Sequence, residues 1–145
     1  MLTWLDDHSP KALSITAHRR VSGQVVVDTL TDTVVEHGVC YSTLTHNGLI
    51  FTTRFSGGGN SGRNGLEILL VPMGVVQKNS RPHHPTTCGK VERFQQTLKK
   101  WFRAQLDQPT TVTDLETLLD VFDDEYNHRR PHRSLANRST PAVAY

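Results

Sequence analysis

With 145 residues, 36% of them hydrophobic, the chain can fill one core and has little left for a second, so one domain is expected. A formal net charge of +2 points to no partner class, and a mean hydropathy of −0.43 with no apolar run near the ~20 residues of a membrane span argues against a membrane partner. Two cysteines, Cys40 and Cys88, and the lack of a signal-peptide pattern after Met1 suit a reducing cytoplasm.

In chain order, Leu2 to Leu5 and the alternating stretch Ala12 to Ala17 read as two strands of a hairpin, joined by the turn formers Asp6-Asp7-His8-Ser9-Pro10. Val25, Val26, Val27, Leu30, Val34 and Val35 follow Ser22-Gly23. Valines favour strand, but the length of the run and the Gly38 stop predict a helix. Tyr41 to Thr45 is a short strand ended by His46-Asn47-Gly48, which places His46 at a strand end. Phe55 to Gly65 is a glycine-rich loop with no Gly-Lys-Ser/Thr after it, so it is not a phosphate-cradling loop. A short helix from Leu66 to Val71 is cut by Pro72, which would cost ~3 kcal/mol if it fell inside the helix. The strand Val75 to Lys78 and a loop from Asn79 to Gly89 come next.

Two helices close the chain. The first runs from Lys90 to about Ala104, with Val91, Phe94, Leu98, Trp101 and Phe102 as one apolar stripe that must be buried. The second opens on Thr113-Asp114-Leu115-Glu116, read as a capping box, and stops near Pro131. This alternating order fits an α/β fold around one mixed sheet.

Charge is unevenly spread. Val76 to Gln105 holds seven bases (Lys78, Arg81, Lys90, Arg93, Lys99, Lys100, Arg103) against the single acid Glu92, and Leu106 to Glu125 holds seven acids and no base. Tyr126 to Tyr145 then carries Arg129, Arg130, Arg133 and Arg138 without an acid, so two basic blocks on which a polyanion could dock flank an acidic one. At 100° per residue Glu92, Gln96, Lys99 and Arg103 share one helix face, with the lone carboxylate in the first turn.

Five ordered segments carry more than pattern: Leu44-Thr45-His46-Asn47-Gly48, His84-Pro85, Gly89-Lys90-Val91-Glu92-Arg93-Phe94, Tyr126-Asn127-His128-Arg129-Arg130-Pro131-His132, and Thr140-Pro141. Together they resemble the integrase catalytic core of insertion-sequence (DDE-type) transposases, related to retroviral integrases. The resemblance implies an α/β, ribonuclease H-like mixed sheet flanked by helices. It also implies metal-dependent phosphoryl transfer, in which Mg²⁺ (or Mn²⁺) ions held by three carboxylates join transposon ends to target DNA.

Measured against that family, Glu92 is the one carboxylate retained and the implied metal ligand. His46 stands at the second Asp position, and its imidazole suits zinc or copper better than magnesium. The first Asp belongs to a strand expected upstream of Met1, so residues 1–125 are expected to be a core lacking its first strand and 126–145 its basic C-terminal tail. Asp6 and Asp7 read as turn residues. The 45 residues between His46 and Glu92 exceed the family's usual spacing, the excess lying in the glycine-rich loop.

This copy is therefore expected to be inactive in strand transfer and to bind DNA through Lys99, Arg103, Lys100, Lys78 and Arg81. Homo-oligomerisation or association with intact transposase subunits is expected as well. Two other readings compete: a DNA-binding or subunit-pairing module without chemistry, and, at lower weight, a zinc module built on His46, His83, His84 and Cys88.

Overall fold

In the computed structural model, which describes residues 1–54, 62–80 and 89–145, the chain divides into two units. Unit 1 is discontinuous and combines Met1–Arg19 with Lys90–Tyr145; unit 2 is Arg20–Gly89. Each has its own buried apolar residues, among them Phe94 and Leu98 in unit 1 and Val26 and Leu66 in unit 2.

Unit 1 begins with the expected hairpin. Strands β1 (Leu2–Leu5) and β2 (Ala12–Thr16) pair antiparallel, Leu2 opposite Thr16 and Trp4 opposite Ser14, with a register irregularity between Trp4 and Leu5. The connecting turn is closed by Asp6, which accepts from Ser9 N–H at 2.6 Å and from Ser9 Oγ at 2.7 Å. Burial pushes the Asp6 carboxyl up, but the Ser9 and His8 hydrogen bonds outweigh it and hold the group below its usual range. Asp7, the next residue, pairs instead with Lys90 at 2.9 Å.

The helices of unit 1 bury the predicted stripe. Helix α3 (Gly89–Arg103) buries Phe94 and Leu98, with Trp101 and Phe102 packed against the same core. Helix α4 (Val112–Asp124) adds Leu119 and Phe122, and a π-helical turn (Glu125–Arg129) continues it. The wider π turn places the consecutive residues Tyr126 and Asn127 both inside. Phe94 meets Phe122 edge-on at 5.8 Å and Tyr126 at 4.9 Å, an offset arrangement that aromatic quadrupoles favour. Burial pushes the Tyr126 phenol up to about 12.

One boundary differs from expectation. The capping box of α4 is Thr111 with Asp114, two residues before the predicted Thr113 with Glu116: Thr111 has extended backbone angles, accepts from Asp114 N–H, and receives the Asp114 carboxylate on its own N–H. Asp114 also accepts from Thr110 N–H and Oγ1, contacts that Glu116 is not placed to make.

Unit 2 opens with helix α1 (Gly23–His37), capped by Ser22. Its threonine hydroxyls are absorbed by the helix itself: Thr29, Thr31 and Thr33 donate to the carbonyls of Val25, Val27 and Thr29, so a β-branched sequence stays helical without stranded polar groups. Gly38, at φ 85°, ends it as predicted. Helix α2 (Gly65–Leu70) starts so close to α1 that a Cβ on Gly65 would lie 3.1 Å from Val27 Cγ2. Pro72 falls beyond its last residue and costs the helix nothing. Strands β3 (Ser42–Thr45) and β4 (Val76–Asn79) pair in parallel, Ser42 opposite Val76 and Thr45 opposite Asn79. Among the described residues the strands thus form two separate two-stranded sheets, one antiparallel in unit 1 and one parallel in unit 2, where the sequence predicts one mixed sheet. A terminal helix α5 (Pro141–Ala144) contacts the π turn of unit 1.

A pH dependence follows from His132, whose ring meets Tyr126 edge-on at 4.8 Å and whose Nε2 is buried without a partner. Burial, then Arg130, hold this imidazole below its ordinary 6.5. The unfolded chain therefore takes up a proton first as pH falls, so the stability His132 contributes is present above 6.5 and is lost as pH drops toward the lower folded value. Urea midpoints should decline as pH falls through and below 6.5, and His132→Gln should flatten that decline; an equally steep one in the variant would assign it elsewhere.

Candidate functional site

The apolar stripe of α3 fixes what its opposite face can offer. With Phe94 and Leu98 turned into the core, Glu92, Gln96, Lys99, Lys100 and Arg103 are all exposed. Lys99, Lys100 and Arg103 make no ion pair with any described acid, whereas Lys90 at the start of the helix is held by Asp7. The helix thus presents three uncommitted cations toward its C-terminal end, where the macrodipole favours them. Glu92 sits in the first turn, exposed, and forms no hydrogen bond or ion pair with a described residue.

Unit 2 holds the second predicted position. Because β3 and β4 are parallel, their carboxyl ends emerge together, with His46 directly after Thr45 and Ser80 directly after Asn79. The two ends are tied: Asn79 Nδ2 donates to Thr45 Oγ1 at 3.1 Å, and Asn47 Nδ2 donates to Ser80 O at 2.9 Å. His46 is exposed, and Lys78, also exposed, lies opposite Leu44 on β4. The structure therefore gathers Lys99, Lys100 and Arg103 on α3 with Glu92, and places His46 and Lys78 in the other unit. Arg81, and the His83, His84 and Cys88 of the zinc reading, lie outside the described residues.

Two side chains that sequence reasoning gave no role anchor these surfaces. Asn127, 1% exposed, accepts from Ala12 N–H at 2.9 Å and donates to Ala12 C=O at 2.8 Å, imitating with its amide the strand that would otherwise pair there. It also donates to Asp123, whose carboxyl burial pushes above its usual range. Glu67 plays the corresponding part in unit 2, accepting from Thr52 Oγ1, Thr53 N–H and Oγ1, and Asn64 N–H, and so pinning the segment after His46 onto α2. Burial pushes its carboxyl up, but these bonds hold it below the ordinary range. Only the Asn64 to Glu67 spacing, a capping box, could have pointed to Glu67 in advance.

Residues 73–141 match the family model described as the integrase core domain. Over that stretch, just under half of its length, the chain is similar to the integrase core family. The match takes in Lys78, Glu92, the α3 cations and the arginines of the C-terminal block, while His46 precedes it. Two solved structures share the fold at 19% identity. One is from the simian T-cell lymphotropic virus intasome in complex with PP2A regulatory subunit B56 gamma (TM-score 0.75, covering 98% of this chain and 46% of that one). The other is the catalytic core domain of BIV integrase (TM-score 0.71, 99% and 82%). The chain thus spans under half the length of the intasome chain it matches, and at this identity the likeness is one of fold.

For a divalent metal the donor set is poor. Among the described residues no three His, Cys, Asp or Glu side chains come together as a group that could hold an ion. A hard cation takes several anionic oxygens, and among the described residues Glu92 gathers no second carboxylate, Asp6 being bonded within the hairpin turn and Asp7 paired with Lys90. The described residues do not fit the metal cage that the family resemblance implies. Among the described residues no helix is long and apolar enough to cross a membrane.

Proposed function

We propose that this integrase core acts in DNA integration and transposition as a DNA-holding element that has lost metal-dependent strand transfer. The observation that carries the reading is the α3 face: Lys99, Lys100 and Arg103 exposed, without acidic partners among the described residues, on a helix whose other face is locked into the core by Phe94 and Leu98. A rigid row of cations neutralises phosphates without reading bases, so binding is weak, indifferent to sequence and sensitive to salt. Lys78, exposed on β4, is a candidate phosphate contact belonging to unit 2 by itself. The solitary Glu92 and the nitrogen ligand of His46 leave Mg²⁺ or Mn²⁺ too few oxygens for a two-ion clamp, so cutting and joining would need intact transposase subunits beside this one.

One preparation tests both halves. Titrated against short duplexes of differing sequence, the chain should bind all alike. Lys99→Glu with Arg103→Glu should weaken binding to each by at least about tenfold and lower the salt slope by roughly 2. Unchanged affinity removes α3 from the DNA surface. In a strand-transfer assay with magnesium, and separately with manganese, the chain alone should join no labelled ends. Joining that Glu92→Gln abolishes would overturn the inactive reading.

A further inference from the structure

The second basic block is not part of the surface just described, yet it is built as a site. After the π turn the chain forms a closed loop: His132 N–H donates to Ser139 C=O, Leu135 N–H to His132 C=O, and Arg138 N–H to Leu135 C=O. Tyr126 braces it from within through the His132 ring, and Pro141, buried at the start of α5, fixes its exit. Arg130, Arg133 and Arg138 project from this frame, all exposed, and none pairs with a described acid; Arg129 differs, being held by Asp124.

The backbone at the loop's far end adds an independent observation. Asn137 and Arg138 are consecutive left-handed residues, at φ 53° and 54°. Asn tolerates that region, but for arginine it costs on the order of 1 kcal/mol that glycine would not incur. The strained position thus carries a long cationic side chain where glycine would fit the backbone without strain.

We infer that Arg130, Arg133 and Arg138, displayed on the ordered loop 129–139, form a second contact to the phosphate backbone of duplex DNA, separate from the α3 row. Guanidinium forks suit phosphate oxygens, and a preformed frame reduces the ordering each contact requires. The consequence is a two-point grip within unit 1, with α3 supplying one set of cations and the loop the other. The inference rests on the proposed DNA-holding role and adds to it a location that the α3 substitutions do not touch.

Its test is a salt series of anisotropy titrations on one short duplex. The triple variant Arg130→Gln, Arg133→Gln, Arg138→Gln should reduce the slope of log K against log salt by roughly 2 to 3, about 0.9 for each phosphate no longer neutralised. The triple change to Lys should restore most of it, and Arg129→Gln should leave it nearly unchanged. A wild-type slope in the Gln variant, with the α3 variant still impaired, overturns the loop contact alone. Equal loss in the Lys and Gln variants assigns the effect to a distorted loop and also overturns it. No binding by the wild-type chain sinks the DNA-holding role, and this inference with it.

Discussion

Phe94→Ala should destabilise unit 1 by ~3–5 kcal/mol, the usual cost of emptying an aromatic site in a core that cannot collapse around it. Phe94 is 1% exposed and touches Phe122 and Tyr126 edge-on, so its removal leaves a void lined by two large rings and forfeits both aromatic pairings. The effect should appear as a lower urea midpoint in tryptophan fluorescence, which reports on unit 1 alone because both tryptophans, Trp4 and Trp101, belong to it. Phe94→Leu should recover part of it. A midpoint for Phe94→Ala within error of wild type would show that the α3 stripe does not hold the unit together, and the rigid display of its cations would lose its footing.

Asn127→Ala is expected to cost ~2–4 kcal/mol through a different cause. Its side chain satisfies both the N–H and the C=O of Ala12, a residue only 2% exposed, and truncation leaves two buried backbone groups without partners at ~1–3 kcal/mol each, partly relieved if water enters. Asn127→Asp separates the contributions: it keeps the acceptor for Ala12 N–H, loses the donor, and sets a second carboxylate beside Asp123. It should be as damaging at neutral pH and recover as pH falls toward the range where those carboxyls take up protons. Hydrogen exchange at Ala12 provides the local check, since its amide should be exposed earliest in either variant. Continued protection there would mean that the amide clamp is dispensable.

How much of this was legible beforehand depended on the distance over which each signal acts. The α3 stripe of Phe94, Leu98, Trp101 and Phe102 repeats within one helix and was readable as such, as were the hairpin and the Gly38 stop. The start of α4 was misplaced because two Thr-x-x-acid patterns overlap, and only the extended backbone at Thr111 and the double reach of Asp114 choose between them. Asn127 was visible as part of a motif but not as a clamp, because its partner Ala12 lies 115 residues away and nothing local refers to it. Glu67 was hidden for the same reason, its threonine donors coming from across a loop. The candidate catalytic positions were the least legible of all: Glu92 and His46 fall in different units, so no periodicity or spacing could say what either does with the other.

The discontinuity of unit 1 has a cost in time. A ribosome adding about 5–20 residues each second releases the β1–β2 hairpin early, yet Ala12 meets Asn127 only after another 115 residues, roughly 6–23 seconds later. A lone two-stranded hairpin is marginal in water, and its unpaired edges invite other strands. Unit 2, continuous from Arg20 to Gly89, can meanwhile fold as it emerges. The hairpin thus stays unclamped until Asn127 emerges, and a chaperone that holds extended apolar segments would find its substrate at Leu2 to Ile15 during that interval.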